Sequence, residues 1–131
     1  MSEEAIELQP FERTSAEVAE LISGGARLID VRTAHEHEAA RLVDSERIGL
    51  EELFDRRDEL DKSQTIVFYC RIGNRSRMAA EAFSDAGYDV HNLAGGIAQW
   101  IEDGQPIDPA DGYVAEPGEA AAILESRARQ A

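Results

Sequence analysis

The sequence has little cysteine, little lysine and no long apolar run. Its 131 residues include one cysteine, Cys70, and one lysine, Lys62. A single cysteine excludes an intramolecular disulfide and a metal site built from several cysteines. No apolar stretch approaches the ~20 residues that a membrane span needs. The acidic start Met1–Glu4 lacks the basic residues and apolar core of a signal peptide, so we expect a cytoplasmic protein that does not bind membranes.

Basic residues are outnumbered by acidic ones, 13 against 27, and the formal net charge is −14. Such a surface repels nucleic acid, which we therefore exclude as a partner. An acidic excess with so little lysine is typical of proteins adapted to a salt-rich cytoplasm, where screening suppresses self-repulsion. The alternative is an arginine-biased composition with an ordinary acidic surface.

Predicted helices and strands alternate along the chain, which is long enough for one domain. Thr14–Glu17 has the pattern of a capping box, and the helix that it starts should stop at Gly24. Strands are predicted at 26–31, 65–69 and 88–93, and helices at 33–40, 50–60, 76–86 and from Gly95 onward. The alternation indicates the α/β class with a parallel sheet.

The two ends of the chain differ in composition from the middle. We divide the sequence into an N-terminal segment at 1–13, a domain at 14–107 and a C-terminal linker and tail at 108–131. Residues 108–118 are rich in Pro, Gly and Asp and are interpreted as a linker. Residues 120–129 form either a short alanine-rich helix or a mobile tail.

Cys70 directly follows the most strongly apolar strand, at the end where parallel sheets bind their ligands. A short loop then leads into a helix. The unpaired N–H groups of such a loop and of the helix start favour an anion. Arg71 and Arg75 add positive charge, so Cys70 is predicted to be a thiolate and a nucleophile. The alternative is a buried cysteine beside an ordinary loop.

The loop residues Arg71, Ile72, Gly73, Asn74, Arg75 and Ser76 are the predicted substrate-binding set. A cradle whose N–H groups all face inward needs backbone angles that Gly73 adopts freely. The planar guanidinium of Arg75 can hold an anionic substrate through several hydrogen bonds. Ser76 is placed as the helix N-cap, with a hydroxyl within reach of the sulfur.

The run Cys-Arg-Ile-Gly-Asn-Arg-Ser resembles the active-site loop of the rhodanese family. Three further blocks are similar to that family in the same order: Leu28–Arg32, Leu93–Ile97 with Trp100, and Gly104–Ile107. The resemblance implies a five-stranded parallel sheet flanked by helices on both faces. It also implies a sulfurtransferase, in which Cys70 takes a sulfane sulfur from a donor such as thiosulfate and becomes a persulfide. A thiol or cyanide would accept that sulfur, or a thioredoxin-like or sulfur-carrier protein.

Two other functions remain open. A rhodanese fold can serve as a binding or sulfur-relay module without its own turnover, although an intact cysteine favours the enzyme. Dual-specificity phosphatases share the fold but have one more residue between Cys and Arg than the four that separate Cys70 from Arg75. The shorter loop favours a persulfide over a phosphate.

The remaining observations concern the surroundings of the loop. Ala40-Arg41-Leu42 stands where the family usually has Gly-His-Ile, and this change bears on substrate choice and local loop shape. Asp30, Arg32 and Glu36 are interpreted as structural charges near the site. We assign no cofactor and no metal, because the histidines (His35, His37 and His91) form no spaced ligand set with Cys70. Trp100 is interpreted as part of the core.

Overall fold

The centre of the protein is a five-stranded parallel sheet. The computed structural model describes residues 10–119. Its helices are α1 (Ser15–Ser23), α2 (Ala34–Ala39), α3 (Leu50–Leu53), α4 (Asn74–Asp85) and α5 (Gly96–Glu102), and a 3-10 turn covers Arg57–Glu59. Its strands are β1 (Glu12–Arg13), β2 (Arg27–Asp30), β3 (Arg41–Leu42), β4 (Glu46–Arg47), β5 (Thr65–Tyr69), β6 (Asp89–Leu93) and β7 (Ile107–Asp108). The main sheet has the order β1-β6-β5-β2-β4, and β3 pairs with β7 in a separate two-stranded sheet.

Helices cover both faces of the sheet, as the sequence predicted. Alternate residues of β5 point to opposite faces because the side chains of a strand have a period of two. Ile66 and Phe68 pack with Ala79 and Phe83 of α4 in one apolar cluster. Val67 and Tyr69 pack in a second cluster, whose other members include Val18 of α1 and Ile97 and Trp100 of α5.

The register of the sheet places the carboxyl ends of β2 and β5 side by side. Asp30, the last residue of β2, pairs with Tyr69, the last residue of β5. Cys70 therefore begins its loop at the same edge at which the chain leaves β2. The pairing of β2 with β5 also places the charged residues that follow β2 at this edge of the sheet.

Capping boxes start α1 and α2. Thr14 accepts a hydrogen bond from the N–H of Glu17, whose carboxylate accepts one from the N–H of Thr14. Thr33 and Glu36 repeat this arrangement at the start of α2. Each box satisfies N–H groups that the helix itself leaves free. The predicted start of α1 is confirmed, and the predicted helix at 33–40 is α2.

The prediction of one helix at 50–60 is wrong. The chain there forms α3, which ends at Leu53, and then the separate 3-10 turn. Leu53 and Leu60 are buried, but Phe54 between them is exposed. The apolar residues have the spacing of one helical face, but tertiary packing buries Leu53 and Leu60 from two separate elements.

The predicted linker at 108–118 is mostly exposed, but parts of it pack on the domain. Ile107 and Asp108 pair antiparallel with Leu42 and Arg41, and Ala115 is fully buried.

At the N-terminal end, Phe11 joins the core and β1 joins the sheet, although the sequence placed both in an N-terminal segment. The predicted helix or tail at 120–129 lies outside the described residues. Within residues 10–119, no helix is both long and apolar enough to cross a membrane.

Candidate active site

The sulfur of Cys70 lies in a cradle of hydrogen-bond donors. The N–H of Gly73 is 3.1 Å from Sγ, and the N–H and hydroxyl of Ser76 are 3.4 and 3.3 Å away. Cys70 itself is only 1% exposed. Three donors around one sulfur stabilise an anion there, because hydrogen bonds to a charged acceptor are stronger than those between neutral groups. The arrangement therefore suits a thiolate, or a persulfide anion.

The loop keeps this shape because two glycines allow a close approach of backbone segments. Gly73 has a φ of +95°, and a Cβ there would lie 2.9 Å from the backbone nitrogen of Gly95. A Cβ on Gly96 would lie 2.5 Å from the carbonyl oxygens of both Cys70 and Arg71. The N–H of Ile97 donates to the Cys70 carbonyl at 2.9 Å. The start of α5 thus supports the loop from behind.

Ser76 does not occupy the position that the sequence assigned to it. The helix α4 begins at Asn74, its N-cap residue is Gly73, and no side chain caps it. Ser76 is fully buried inside the first turn, where its hydroxyl is free to donate to Cys70 Sγ. The prediction that Ser76 is the N-cap is wrong, whereas its expected reach to the sulfur is observed.

Arg75 is partly exposed, and it is bound to Glu36. Its Nη1 and Nη2 donate to the two carboxylate oxygens of Glu36 at 3.3 and 3.0 Å. Glu36 is fully buried. Burial raises the pKa of Glu36, but the hydrogen bonds from Arg75 and Thr33 outweigh it and hold the pKa below its usual value. The paired hydrogen bonds that we expected Arg75 to make with a substrate are made with Glu36. They connect the Cys70 loop to α2.

Asp30 and Arg32 form a second buried ion pair at the carboxyl edge of the sheet. Arg32 Nη2 lies 2.7 Å from Asp30 Oδ2 and 2.6 Å from the carbonyl oxygen of Ala40. His37 Nδ1 contacts the same carboxylate at 2.8 Å. Burial raises the pKa of Asp30, and the hydrogen bonds from His37 and Arg32 lower it below its usual value. These residues fix the turn between β2 and α2, as their structural interpretation predicts.

Among residues 10–119, the side chains of three predicted site residues make no hydrogen bond to the sulfur. Ile72 is 47% exposed, and Asn74, the first residue of α4, is exposed. Arg71 is 28% exposed and pairs with Glu116 of the C-terminal segment, with Nη1 and Oε2 3.4 Å apart. These three residues contribute to the cradle through their backbone, which connects Cys70 to Gly73 and Ser76.

Asn92 is a loop-supporting residue that the sequence analysis missed. It is buried near the end of β6, and its amide donates to the carbonyl oxygen of Gly73 at 3.2 Å. The same amide nitrogen donates to the Glu12 carboxylate. The sequence signal for Asn92 is its polar amide in a strand that also contains the apolar Val90 and Leu93. A buried amide there needs hydrogen-bond partners.

The departure at Ala40-Arg41-Leu42 has a structural counterpart. Leu42 is fully buried, and its N–H donates to the hydroxyl of Tyr69 at 3.1 Å. The hydroxyl of Ser45 lies 2.8 Å from the same Tyr69 oxygen. Burial raises the pKa of Tyr69 well above its ordinary value. This segment is therefore fixed to the last residue before Cys70.

Trp100 packs in the core, and its Nε1 donates to the Pro106 carbonyl at 2.8 Å. This confirms its interpretation as a core residue. In the part of the chain that the structure describes, no three His, Cys, Asp or Glu side chains are grouped so that they could hold a metal ion.

Comparison with known proteins identifies the family. A family model described as "Rhodanese-like domain" matches residues 14–103. The chain belongs to the rhodanese-like domain family. Among solved structures, a rhodanese-related protein from Thermoplasma volcanium superimposes with a TM-score of 0.69 and 30% identity, covering 73% of this chain and 95% of that one. The rhodanese-like fold predicted from the sequence is thereby confirmed.

Curated relatives include sulfurtransferases. A protein of Allochromatium vinosum named "Sulfurtransferase" is 35% identical over 65% of this chain and 80% of its own length. "Thiosulfate sulfurtransferase GlpE" of Actinobacillus pleuropneumoniae is 30% identical over 84% of this chain and 99% of its own length. Two other relatives are longer than the matched domain, and the chain spans 39% and 60% of their lengths.

Proposed function

We propose that this rhodanese-like protein is a sulfurtransferase that carries sulfane sulfur on Cys70. The observation that carries the proposal is the cradle around Sγ, in which Gly73 and Ser76 supply three donors within 3.4 Å. The family and the names of the relatives agree with it. No cofactor is needed, because nucleophile and anion stabilisation are both supplied by the loop.

The first step forms a persulfide. The Cys70 thiolate attacks the sulfane sulfur of thiosulfate, the sulfur–sulfur bond of the donor breaks, and sulfite leaves with the electron pair. In the second step a thiol or cyanide attacks the outer sulfur and regenerates the thiolate. The Gly73 and Ser76 donors stabilise the negative charge on sulfur before and after each step.

Two observations disfavour phosphatase chemistry. Only four residues separate Cys70 from Arg75, so the loop is short for a phosphate. In addition, both terminal nitrogens of Arg75 are bound to the buried Glu36. A carboxylate on these two nitrogens competes with a phosphoryl group for hydrogen bonds from Arg75.

Intact mass spectrometry tests the proposal. Incubation with thiosulfate should add one sulfur atom to the protein, cyanide should remove it, and Cys70→Ser should show no addition. Multiple-turnover formation of thiocyanate from thiosulfate and cyanide separates an enzyme from a sulfur-relay module, which would load once and release only to a protein acceptor. Failure to load from thiosulfate and from an alkyl persulfide, while iodoacetamide still alkylates Cys70, would exclude sulfur transfer.

A further inference from the structure

The C-terminal segment at 107–119 lies along the active-site side of the domain. Its first residues pair with β3, and the N–H of Tyr113 donates to the carbonyl oxygen of Ala39 at 3.1 Å. Gly112 is packed so closely that a Cβ there would lie 3.0 Å from the Cβ of Ala40. Ala115 is fully buried. These contacts hold the segment against α2 and the chain that follows it.

Two carboxylates fasten the end of the segment, Glu119 to α2 and Glu116 to the Cys70 loop. Glu119 Oε2 lies 2.9 Å from His35 Nε2 and accepts a hydrogen bond from the Tyr113 hydroxyl at 2.7 Å. The hydrogen bond with His35 lowers the pKa of Glu119 most, and the one from Tyr113 lowers it further, so that this pKa lies below its usual value. Glu116, three residues earlier, pairs with Arg71 at 3.4 Å.

Arg71 is well placed to attract an anion. It directly follows Cys70, and its Nε–H is buried without a hydrogen-bond acceptor among residues 10–119. The chain has no acidic residue between Asp61 and Glu81, although the whole protein carries a net charge of −14. The positive charge of the loop is therefore compensated from outside it, by Glu36 at Arg75 and by Glu116 at Arg71.

We propose that Glu116 determines donor specificity by competing with anionic donors for Arg71, and so favours alkyl persulfides, which react in their uncharged RSSH form, over thiosulfate. The inference rests on the proposed sulfurtransferase function. Thiosulfate brings two negative charges to the loop and must displace or approach the Glu116 carboxylate. The RSSH form of an alkyl persulfide has no such cost. Because Glu116 is 68% exposed on its side chain, its effect is expected to be moderate.

Both reactions give the same product. With thiosulfate, the Cys70 thiolate takes the sulfane sulfur, and sulfite leaves with the electron pair of the broken bond. With an alkyl persulfide, the thiolate takes the outer sulfur, and the alkyl thiolate that leaves takes up the proton of the persulfide. The two donors therefore differ in charge while the Cys70 persulfide formed is identical.

The test uses two alkylating agents that differ by one charge, together with thiosulfate. Glu116→Gln should raise the rate of Cys70 alkylation by iodoacetate and kcat/KM for thiosulfate about two- to fivefold, the range of an exposed ion pair. Alkylation by the uncharged iodoacetamide should stay unchanged. Glu20→Gln, the same charge change on exposed α1, is the control and should alter none of these rates. The gain should disappear in an Arg71→Gln background, as a double-mutant cycle requires.

Other outcomes overturn the inference. An equal gain with iodoacetate and iodoacetamide would show that the segment obstructs access instead of selecting by charge. No gain with either reagent, or a gain that persists without Arg71, would show that Glu116 has no role in specificity. Because alkylation requires no sulfur transfer, a wild-type protein that fails to load sulfur would refute the proposed function separately.

Discussion

Arg75 has a partner within the protein that the sequence did not predict. The sequence assigned its guanidinium to an anionic substrate, and the structure places it on the buried carboxylate of Glu36. Arg75→Lys removes the bidentate pair while retaining the charge. We expect thiosulfate turnover and alkylation of Cys70 by iodoacetamide to fall together, by a similar factor, with a lower melting temperature. A selective loss with thiosulfate would show instead that Arg75 contacts the substrate.

The buried carboxylates give the protein a predictable acid sensitivity. The pKa values of Glu36 and Asp30 are both lowered in the folded protein, from the ordinary 4.5 and 3.8. The unfolded chain therefore binds more protons in acid, and stability falls as the pH falls. The contribution of these groups is complete above about pH 4.5 and is lost as the pH drops through the lowered folded pKa values.

Glu36→Gln tests this at one position. At pH 7 the variant should be less stable by about 1–3 kcal/mol, because Arg75 loses the charged acceptor that the buried Glu36 carboxylate provides. Between pH 5 and 3 its melting temperature should fall less steeply than that of the wild type. Glu46→Gln, which removes the half-exposed pair with Arg27, is the control and should change the slope less. An unchanged slope in Glu36→Gln would contradict the lowered pKa of Glu36.

At the scale of elements, the segment after β7 packs against α2. Gly112 lies so close to α2 that an added Cβ would meet the carbonyl oxygen of Ala39. Gly118 has no atom within 4 Å of the same position, and neither glycine has a positive φ. We expect Gly112→Ala to lower stability by about 1–3 kcal/mol through overpacking, and Gly118→Ala to be neutral. Urea unfolding of both variants is the measurement, and equal stabilities would mean that the segment does not pack as described.

The elements that the sequence predicted well are those with strong local signals. The residues of β5 form a continuous β-branched and aromatic run, and its predicted span of 65–69 is confirmed. The start of α1 follows from its capping box. By contrast, β1 and β4 are two residues long and are strands only because they pair with β6 and β2. No local pattern marks so short an edge strand, so their position depends on tertiary contacts.

The site shows the same division between local and distant information. The Cys70 loop could be predicted because its residues are contiguous and its chemistry follows from a strand end and a helix start. The support from Asn92 and the pair of Arg71 with Glu116 join residues far apart in sequence. Composition alone suggested a linker at 108–118, because Pro, Gly and Asp are frequent in loops whether or not those loops pack.

For the whole molecule, the dominant feature is its charge of −14. Like-charge repulsion opposes the compact state at low ionic strength, and molar salt shortens the reach of each charge to about 3 Å. Exposed ion pairs such as Arg56–Glu59 are weakened by the same screening, but each contributes little. We therefore expect the melting temperature to rise from low to molar KCl, while activity with an anionic donor falls because its attraction to the loop is screened.

The control separates screening from a general strengthening of apolar burial by excluded solutes. Sodium chloride and an uncharged osmolyte are compared with KCl at matched water activity. Screening predicts that both salts stabilise the protein equally and more than the osmolyte does, because only ions shorten the range of the repulsion among the 27 acidic residues. A melting temperature that is flat or falls with KCl would remove the hypothesis of adaptation to a salt-rich cytoplasm. The arginine bias would then be a matter of composition, without consequence for folding.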